Sequence, residues 1–306
     1  MKLFLRCLLW GSVLPGAQPV GATQVDWNGL PFSTNLTSTG QPWDEGWTAE
    51  LGSFTGSFTP AATNTAAWAA SWRAASRSLY QPATRYFGGS YSYETNPAPF
   101  PAGGQAYLWL FHSGAPQGQW ILLTDPSWTW PAGAPGNFFP VNWASSEATR
   151  AIVGHLASLP AWDLKSAAVT DSPLPALPWA DWQALYFSPA EILNTGLSGL
   201  AADPDGDGAT NLAEYGAGTL PRRNSSFPPP PAAFLHPENG QTYAAARLFR
   251  STRVTGYTWQ AQASGNLSSW TEAPVTLTDF PWAWTVRSPA SLPTSLRGFL
   301  RFRLAP

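Results

Sequence analysis

Residues 106–111 are Ala106-Tyr107-Leu108-Trp109-Leu110-Phe111, and residues 120–123 are Trp120-Ile121-Leu122-Leu123. Both runs are short, strongly apolar and aromatic, which is typical of buried strands. Between them, Gly114-Ala115-Pro116-Gln117-Gly118 has the residues of a turn. The two runs therefore predict neighbouring strands at the centre of a β-rich unit.

The composition favours the same fold class along the whole chain. The 306 residues include 27 Gly, 31 Pro and 18 Trp, and 11% are charged. Gly and Pro interrupt long helices, whereas aromatic residues suit half-buried strands. We predict a mainly β protein in which two β-sandwich-like domains are joined by a short helical connector that carries a calcium loop.

The N-terminal segment predicts export. Lys2 precedes an apolar stretch, and Arg6 interrupts it; the stretch is too short to span a bilayer. Val20-Gly21-Ala22 then offers small residues for signal cleavage after Ala22. Cys7, the single cysteine, falls inside this signal, so no disulfide is expected after cleavage. We expect a secreted, extracellular or cell-envelope protein with no transmembrane segment once the signal is removed.

Four further segments follow the signal at residues 1–22. We predict an N-terminal β-rich domain at 23–178, a helical segment at 179–220, a Pro-rich linker at 221–231 and a small β-sandwich at 232–306. Within the last, residues 257–263 and 300–304 predict strands.

Three short helices are expected. Residues 65–76 predict one or two helical turns after an Asn64 cap, with Trp68 and Trp72 on one face; we expect that face to be buried rather than to form a binding platform. Ser188-Pro189-Ala190-Glu191 is a capping-box pattern for a helix ending near Gly196. A third helix starts at residues 211–215, with glycines and a proline closing it.

The acidic loop at residues 203–214 carries the most specific motif. Its sequence is Asp-Pro-Asp-Gly-Asp-Gly-Ala-Thr-Asn-Leu-Ala-Glu. Acidic residues occupy loop positions 1, 3, 5 and 12, with glycine at position 6, as in EF-hand-type calcium loops. The predicted ligands are Asp203, Asp205, Asp207, the backbone carbonyl of Ala209, Asn211 (directly or through water) and Glu214.

Calcium is the expected ion because it prefers six to eight oxygen ligands, whereas magnesium prefers a tighter octahedron that retains water. The alternative interpretation is a solvated acidic turn without an ion. With one loop and no second one to pair with it, we expect a structural ion rather than a calcium switch.

The loop also carries a family resemblance. Ala202-Asp203-Pro204-Asp205-Gly206-Asp207-Gly208, followed by Asn211-Leu212 and Glu214-Tyr215, resembles the thrombospondin type 3 and dockerin-like loops of exported bacterial proteins. Residues 257–304 are similar to the C-terminal β module that follows such a loop. The resemblance implies an exported protein with a calcium-stabilised connector.

The N-terminal domain is similar to secreted proteins of the PEP-CTERM-sorted class. The matching residues are Glu50-Leu51-Gly52, Gly56, Phe58-Thr59-Pro60, Asn64, Trp68 and residues 105–109. This resemblance implies an exported or envelope-associated protein and supplies no catalytic residues.

No enzyme motif is evident. His112, His155 and His236 are far apart in sequence and form no metal-binding pair. Asp44-Glu45 and Asp125 are the candidate carboxylates for a glycosidase, but each lies in turn-like sequence where a solvated role is expected.

Two main functional hypotheses remain, with a glycosidase a distant third. We prefer a non-catalytic secreted or cell-surface structural or interaction module. The alternative is a carbohydrate-binding protein that exposes Trp43, Trp47, Trp128 and Trp130, although burial is the default expectation for so many tryptophans. Polysaccharide or other surface proteins are the partners considered. After removal of the signal with Lys2 and Arg6, 14 basic and 18 acidic residues remain, and this net charge of −4 gives no general attraction to nucleic acid.

Overall fold

The computed structural model describes residues 22–112, 117–134, 140–158, 161–170, 172–226, 228–271, 274–292 and 298–306. Residues 1–21, which hold most of the predicted signal including Cys7, lie outside this range. Within the described residues, no helix has the length and apolar character needed to cross a membrane.

Strands dominate residues 23–178. They are β1 (Thr23–Asn28), β2 (Asn35–Leu36), β3 (Trp47–Phe54), β4 (Trp72–Leu79), β5 (Gly88–Tyr93), β6 (Tyr107–His112), β7 (Gln117–Thr124), β8 (Val141–Ala144), β9 (Arg150–Val153), β10 (His155–Ser158), β11 (Trp162–Lys165) and β12 (Ala167–Thr170). The helices here are short: α1 (Trp68–Ser71) and the 3-10 turns Thr65–Ala67 and Ser145–Glu147.

These strands form three sheets. The largest has the order β12-β7-β6-β3-β4, with β9 also pairing with β7. Smaller sheets have the orders β5-β1-β8 and β10-β11-β2. The predicted hairpin is confirmed, with Leu110 opposite Ile121 and Phe111 opposite Trp120; residues 113–116 of its turn lie outside the described range.

The central sheet is buried on both faces, which explains why its strands are continuously apolar. Leu108 and Leu110 face a core shared with Val25 and Trp27 of the second sheet. Successive side chains of a strand point to opposite faces, so Trp109 and its neighbours enter a second core with α1. The mainly β fold predicted from composition is confirmed.

The helical segment contains α2 (Trp179–Tyr186), α3 (Pro189–Ile192), α4 (Thr195–Ser198) and α5 (Asn211–Ala217). The remaining strands are β13 (Ala232–Glu238), β14 (Gln241–Phe249), β15 (Thr258–Ser264), β16 (Val275–Phe280), β17 (Ala283–Arg287) and β18 (Phe299–Ala305). A four-stranded sheet, β13-β14-β17-β16, lies beside the pair β15-β18, with Trp284 and Phe302 in edge contact between them.

Three local predictions were wrong in detail. The helix over residues 65–76 ends at Ser71, and Trp72 starts strand β4; Trp68 and Trp72 are nonetheless buried, as predicted. The helix begun by the Ser188 capping box ends at Ile192, because Asn194 caps a separate turn, α4.

The third difference is at the end of α5. Gly216 lies inside the helix rather than closing it, and a Cβ there would come within 2.6 Å of the Trp259 ring. Gly218 is the left-handed cap, with φ of 81°.

Candidate metal centre

The acidic loop is held between two short helices. The loop starts after α4 and ends in α5, where the Thr210 hydroxyl caps the helix by accepting a bond from the Ala213 N–H. The Asn211 N–H donates to the Ala202 carbonyl at 2.8 Å, and the Leu212 N–H donates to the Leu200 carbonyl at 3.0 Å. These two bonds bring the start and end of the loop together, so the chain between them must curve tightly.

Two glycines make this curvature possible. Gly206 and Gly208 have φ angles of 74° and 93°, in the left-handed region that favours glycine. Gly208 is the residue that the loop pattern requires for the sharp turn at position 6. A Cβ at Gly208 would meet no heavy atom within 4 Å, so backbone conformation rather than space accounts for glycine there.

The loop brings three aspartates together. Carboxylate oxygens of Asp203, Asp205 and Asp207 lie within 4.8 Å of one another. Backbone N–H groups orient them: Gly206 and Gly208 each donate to Asp203 at 2.9 Å, and Ala209 donates to Asp207 at 2.7 Å. Such donors position the carboxylates but only partly offset their mutual repulsion.

Asn211 and Glu214 lie fully buried beside this cluster, each with 0% exposure. The Asn211 amide nitrogen donates to the Leu197 and Gly199 carbonyls, both at 2.9 Å. This leaves its Oδ1 buried and without a hydrogen-bond partner among the described residues. The amide is therefore oriented with its acceptor atom unused.

Glu214 is the most unusual side chain of the loop. Both of its carboxylate oxygens are buried and, in the part of the chain that the structure describes, neither has a well-formed hydrogen bond. The nearby Thr219 hydroxyl lowers the pKa of Glu214 only slightly. Burial, reinforced by repulsion from Asp205, Asp207 and Asp203, raises the pKa of Glu214 to about 8. Burial also raises the pKa of Asp205. A buried, unpaired carboxylate among other acids is costly unless a cation compensates it.

Four of the predicted ligand residues carry buried oxygens that have no hydrogen-bond partner among the described residues: Asp205 Oδ2, Asp207 Oδ2, Asn211 Oδ1 and both Glu214 oxygens. Such oxygens also occur outside the predicted ligand set, on Asn35 and Thr219. An all-oxygen donor set of this kind suits a hard cation. Ala209 has a buried side chain, and its carbonyl remains a predicted ligand. Glu214 is not part of the group whose oxygens lie within 4.8 Å of one another, and the described ranges contain no second group of three or more His, Cys, Asp or Glu side chains with such spacing.

Sequence reasoning did not find a second buried polar cluster, centred on Glu50. This side chain is 0% exposed, and it accepts bonds from Trp72 Nε1 at 2.7 Å, Arg77 Nε at 3.1 Å and Arg253 Nη2 at 2.5 Å. Arg77 continues to Asp181 at 2.9 Å. The cluster thus links strands of the large sheet to α2 and to the segment before β15.

The remaining candidates from the sequence are dispersed. His112 Nε2 lies 3.2 Å from Asp44 Oδ1, Glu45 forms an ion pair with Arg223, and Asp125 accepts bonds from Ser127 and Thr149. The structure does not bring Asp125 into a cluster with Asp44.

The four tryptophans proposed as an exposed carbohydrate platform are buried. Trp43, Trp47, Trp128 and Trp130 are between 1% and 4% exposed, and Trp43 stacks on Trp47 with ring centroids 3.9 Å apart. Burial overrides the Gly/Pro-rich context that suggested exposure, because large aromatic rings contribute most to the core when they are removed from water. These four residues form no binding strip.

Comparisons with protein-family models, with curated proteins and with solved structures found no match for this chain. The interpretation of the loop therefore depends on the chemistry of its own residues.

Proposed function

We propose that this chain is an exported, non-catalytic surface or matrix protein whose β-rich units are held together at a calcium-stabilised connector. The observation that carries the proposal is the set of five buried, unpartnered oxygen atoms on Asp205, Asp207, Asn211 and Glu214, counted over the described residues. A calcium ion bound in the loop would supply the positive charge that these oxygens lack. Calcium is favoured over magnesium because side-chain and carbonyl oxygens, rather than retained waters, make up the predicted set.

The ion would act on the connector through α5. Glu214 is followed by Tyr215, whose hydroxyl donates to the Leu177 carbonyl at 2.7 Å and accepts from the Thr255 N–H at 2.9 Å. Tyr215 also lies in a buried cluster with Trp182, beside Tyr257, which precedes β15, and Leu304 of β18. An ion that fixes Glu214 would therefore stabilise the packing of the connector against residues on both sides of it.

Export is proposed on the signal-like N-terminal sequence and on the resemblance of the loop to those of exported bacterial proteins. Extracellular calcium is abundant enough to occupy a site with a Kd of about 10⁻⁴ to 10⁻³ M. Polysaccharide or other surface proteins are the proposed partners.

The test is thermal unfolding with and without calcium. We expect calcium to raise the Tm of the wild-type protein and removal of calcium to lower it, because an ion that binds only the folded state stabilises that state. The double variant Asp205→Ala, Glu214→Ala should lose this sensitivity. Glu94→Ala, which removes an exposed acid far from the loop in sequence, should retain it. A wild-type Tm that is independent of calcium would refute the proposal.

A further inference from the structure

A cavity of about 350 Å³ lies where the large sheet, the helical segment and the loop between β14 and β15 meet. Its lining includes His112 at the end of β6, Tyr186 at the end of α2, Arg223 after α5, and Arg253 before β15. This volume falls in the range of small-molecule sites, about 300–1,000 Å³. None of the predicted calcium ligands lines it.

Two arginines give the cavity an anion-binding character. Arg253 is only 7% exposed; its Nε donates to the Pro175 carbonyl and its Nη2 to Glu50. Its Nη1 makes no hydrogen bond to any described residue. Arg223 forms an ion pair with Glu45 through Nη1, and its Nε donates a hydrogen bond to the Ser225 hydroxyl.

The acids paired with these arginines, Glu45 and Glu50, are not among the lining residues. Both arginines therefore line the cavity, whereas the acids paired with them do not. A guanidinium with free donors binds a carboxylate strongly, because the hydrogen bonds are charge-assisted.

The other walls of the cavity offer contacts for the part of a small ligand that lies beyond its carboxylate. Trp182 and Tyr186 supply aromatic surface, and hydroxyl side chains at Ser226 and Ser251 supply both donors and acceptors. At the more exposed side, Asp44 accepts a bond from His112 and retains a second carboxylate oxygen that can accept from a ligand hydroxyl.

We propose that this cavity binds a small organic anion that carries both a carboxylate and several hydroxyl groups, of the size of one acidic sugar. The carboxylate is held between Arg223 and Arg253, the hydroxyl groups contact Asp44 and the serines, and the carbon skeleton lies against Trp182.

The test is calorimetric titration of the full chain with D-galacturonate in calcium-containing buffer. We expect saturable one-to-one binding. D-galactose, which lacks the carboxylate, and acetate, which lacks the hydroxyl groups, should each bind at least about tenfold more weakly, because a hydrogen bond to a charged group contributes about that factor. Titration with tartrate distinguishes the two classes of ligand. An affinity equal to that of galacturonate indicates a site for hydroxy acids in general, and a weaker affinity indicates a site for acidic sugars.

Adjacent arginines provide a matched pair of variants. Arg223→Gln should weaken galacturonate binding at least about tenfold. Arg222→Gln should leave it unchanged, because Arg222 pairs with Glu191 and is not part of the cavity. The two side chains are similarly exposed, at 48% and 46%, so both variants are expected to fold. Absence of saturable binding for both galacturonate and tartrate, or equal affinities in the two variants, would overturn the proposal.

Discussion

At the scale of single residues, Glu214 determines how the loop responds to its surroundings. It is fully buried, and without an ion its nearest charges are aspartates of the same sign. Burial of such a carboxyl in the folded state costs little free energy only when the carboxyl binds a proton or a cation. Protons and calcium therefore compete for the same oxygen atoms.

This competition predicts a pH dependence of stability. Burial raises the pKa of Glu214 from its ordinary value of 4.5 to about 8 in the calcium-free protein. Between these values the folded state binds a proton that the unfolded state releases, so the calcium-free protein should lose stability as the pH rises toward 8. With saturating calcium the carboxylate is ionised in both states, and this loss should disappear.

The measurement is Tm at several pH values from 5 to 8, with and without calcium. The stabilisation by calcium should grow as the pH rises, and Glu214→Gln should abolish that growth. A calcium effect of constant size across this range would contradict the role assigned to Glu214.

At the scale of secondary-structure elements, the two-sided central sheet supports the rest of the molecule. Strands β6 and β7 place alternate side chains in two separate cores. Each strand therefore loses apolar contacts on both faces if its register shifts by one residue. The neighbouring elements, including α1, are short and depend on packing against this sheet rather than on helix propensity.

We expect Leu122→Ala to destabilise the protein by about 2–5 kcal/mol, because it leaves a cavity in a fully buried strand. The matched control is Leu193→Ala, which truncates a leucine that is 86% exposed and should cost less than about 0.5 kcal/mol. Urea denaturation measures both changes. Similar costs for the two variants would show that β7 does not lie in the core.

The elements that the sequence predicted well are those with a local signal. The apolar runs at β6 and β7, the Ser188 capping box and the alternation in β18 all depend on neighbours within a few residues. The helix predicted over residues 65–76 is too long, because Trp72 fits a helical face as well as it fits the first position of strand β4. Tertiary pairing with β3, which local sequence does not encode, decided between them.

At the scale of the whole molecule, the Glu50 cluster connects parts of the chain that are distant in sequence. Arg253 and Glu50 are separated by 203 positions, and no periodicity or spacing indicates such a pair. The same reason explains why the cavity beside Arg253 was not foreseen. Burial of Trp43 and Trp128 agrees with the default expectation for tryptophan, but the partners that bury them depend on which sheets pack together.

Glu50→Gln should destabilise the protein by about 3–5 kcal/mol, because it leaves Arg77 and Arg253 without their shared buried carboxylate. Asp279→Asn provides the comparison: it breaks an ion pair with Arg250 in which the acid is 59% exposed, and it should cost at most about 1 kcal/mol. The free energies of unfolding come from denaturant titration. If the two variants are equally stable, the cluster does not hold these segments together.

The most direct test of the calcium centre is isothermal titration of the calcium-free protein with calcium chloride. The account predicts one binding event per chain, with a Kd of about 10⁻⁴ to 10⁻³ M, which is lost in Glu214→Gln and retained in Glu94→Gln. A titration without binding heat in the wild-type protein, or with the same heat in Glu214→Gln, would contradict it.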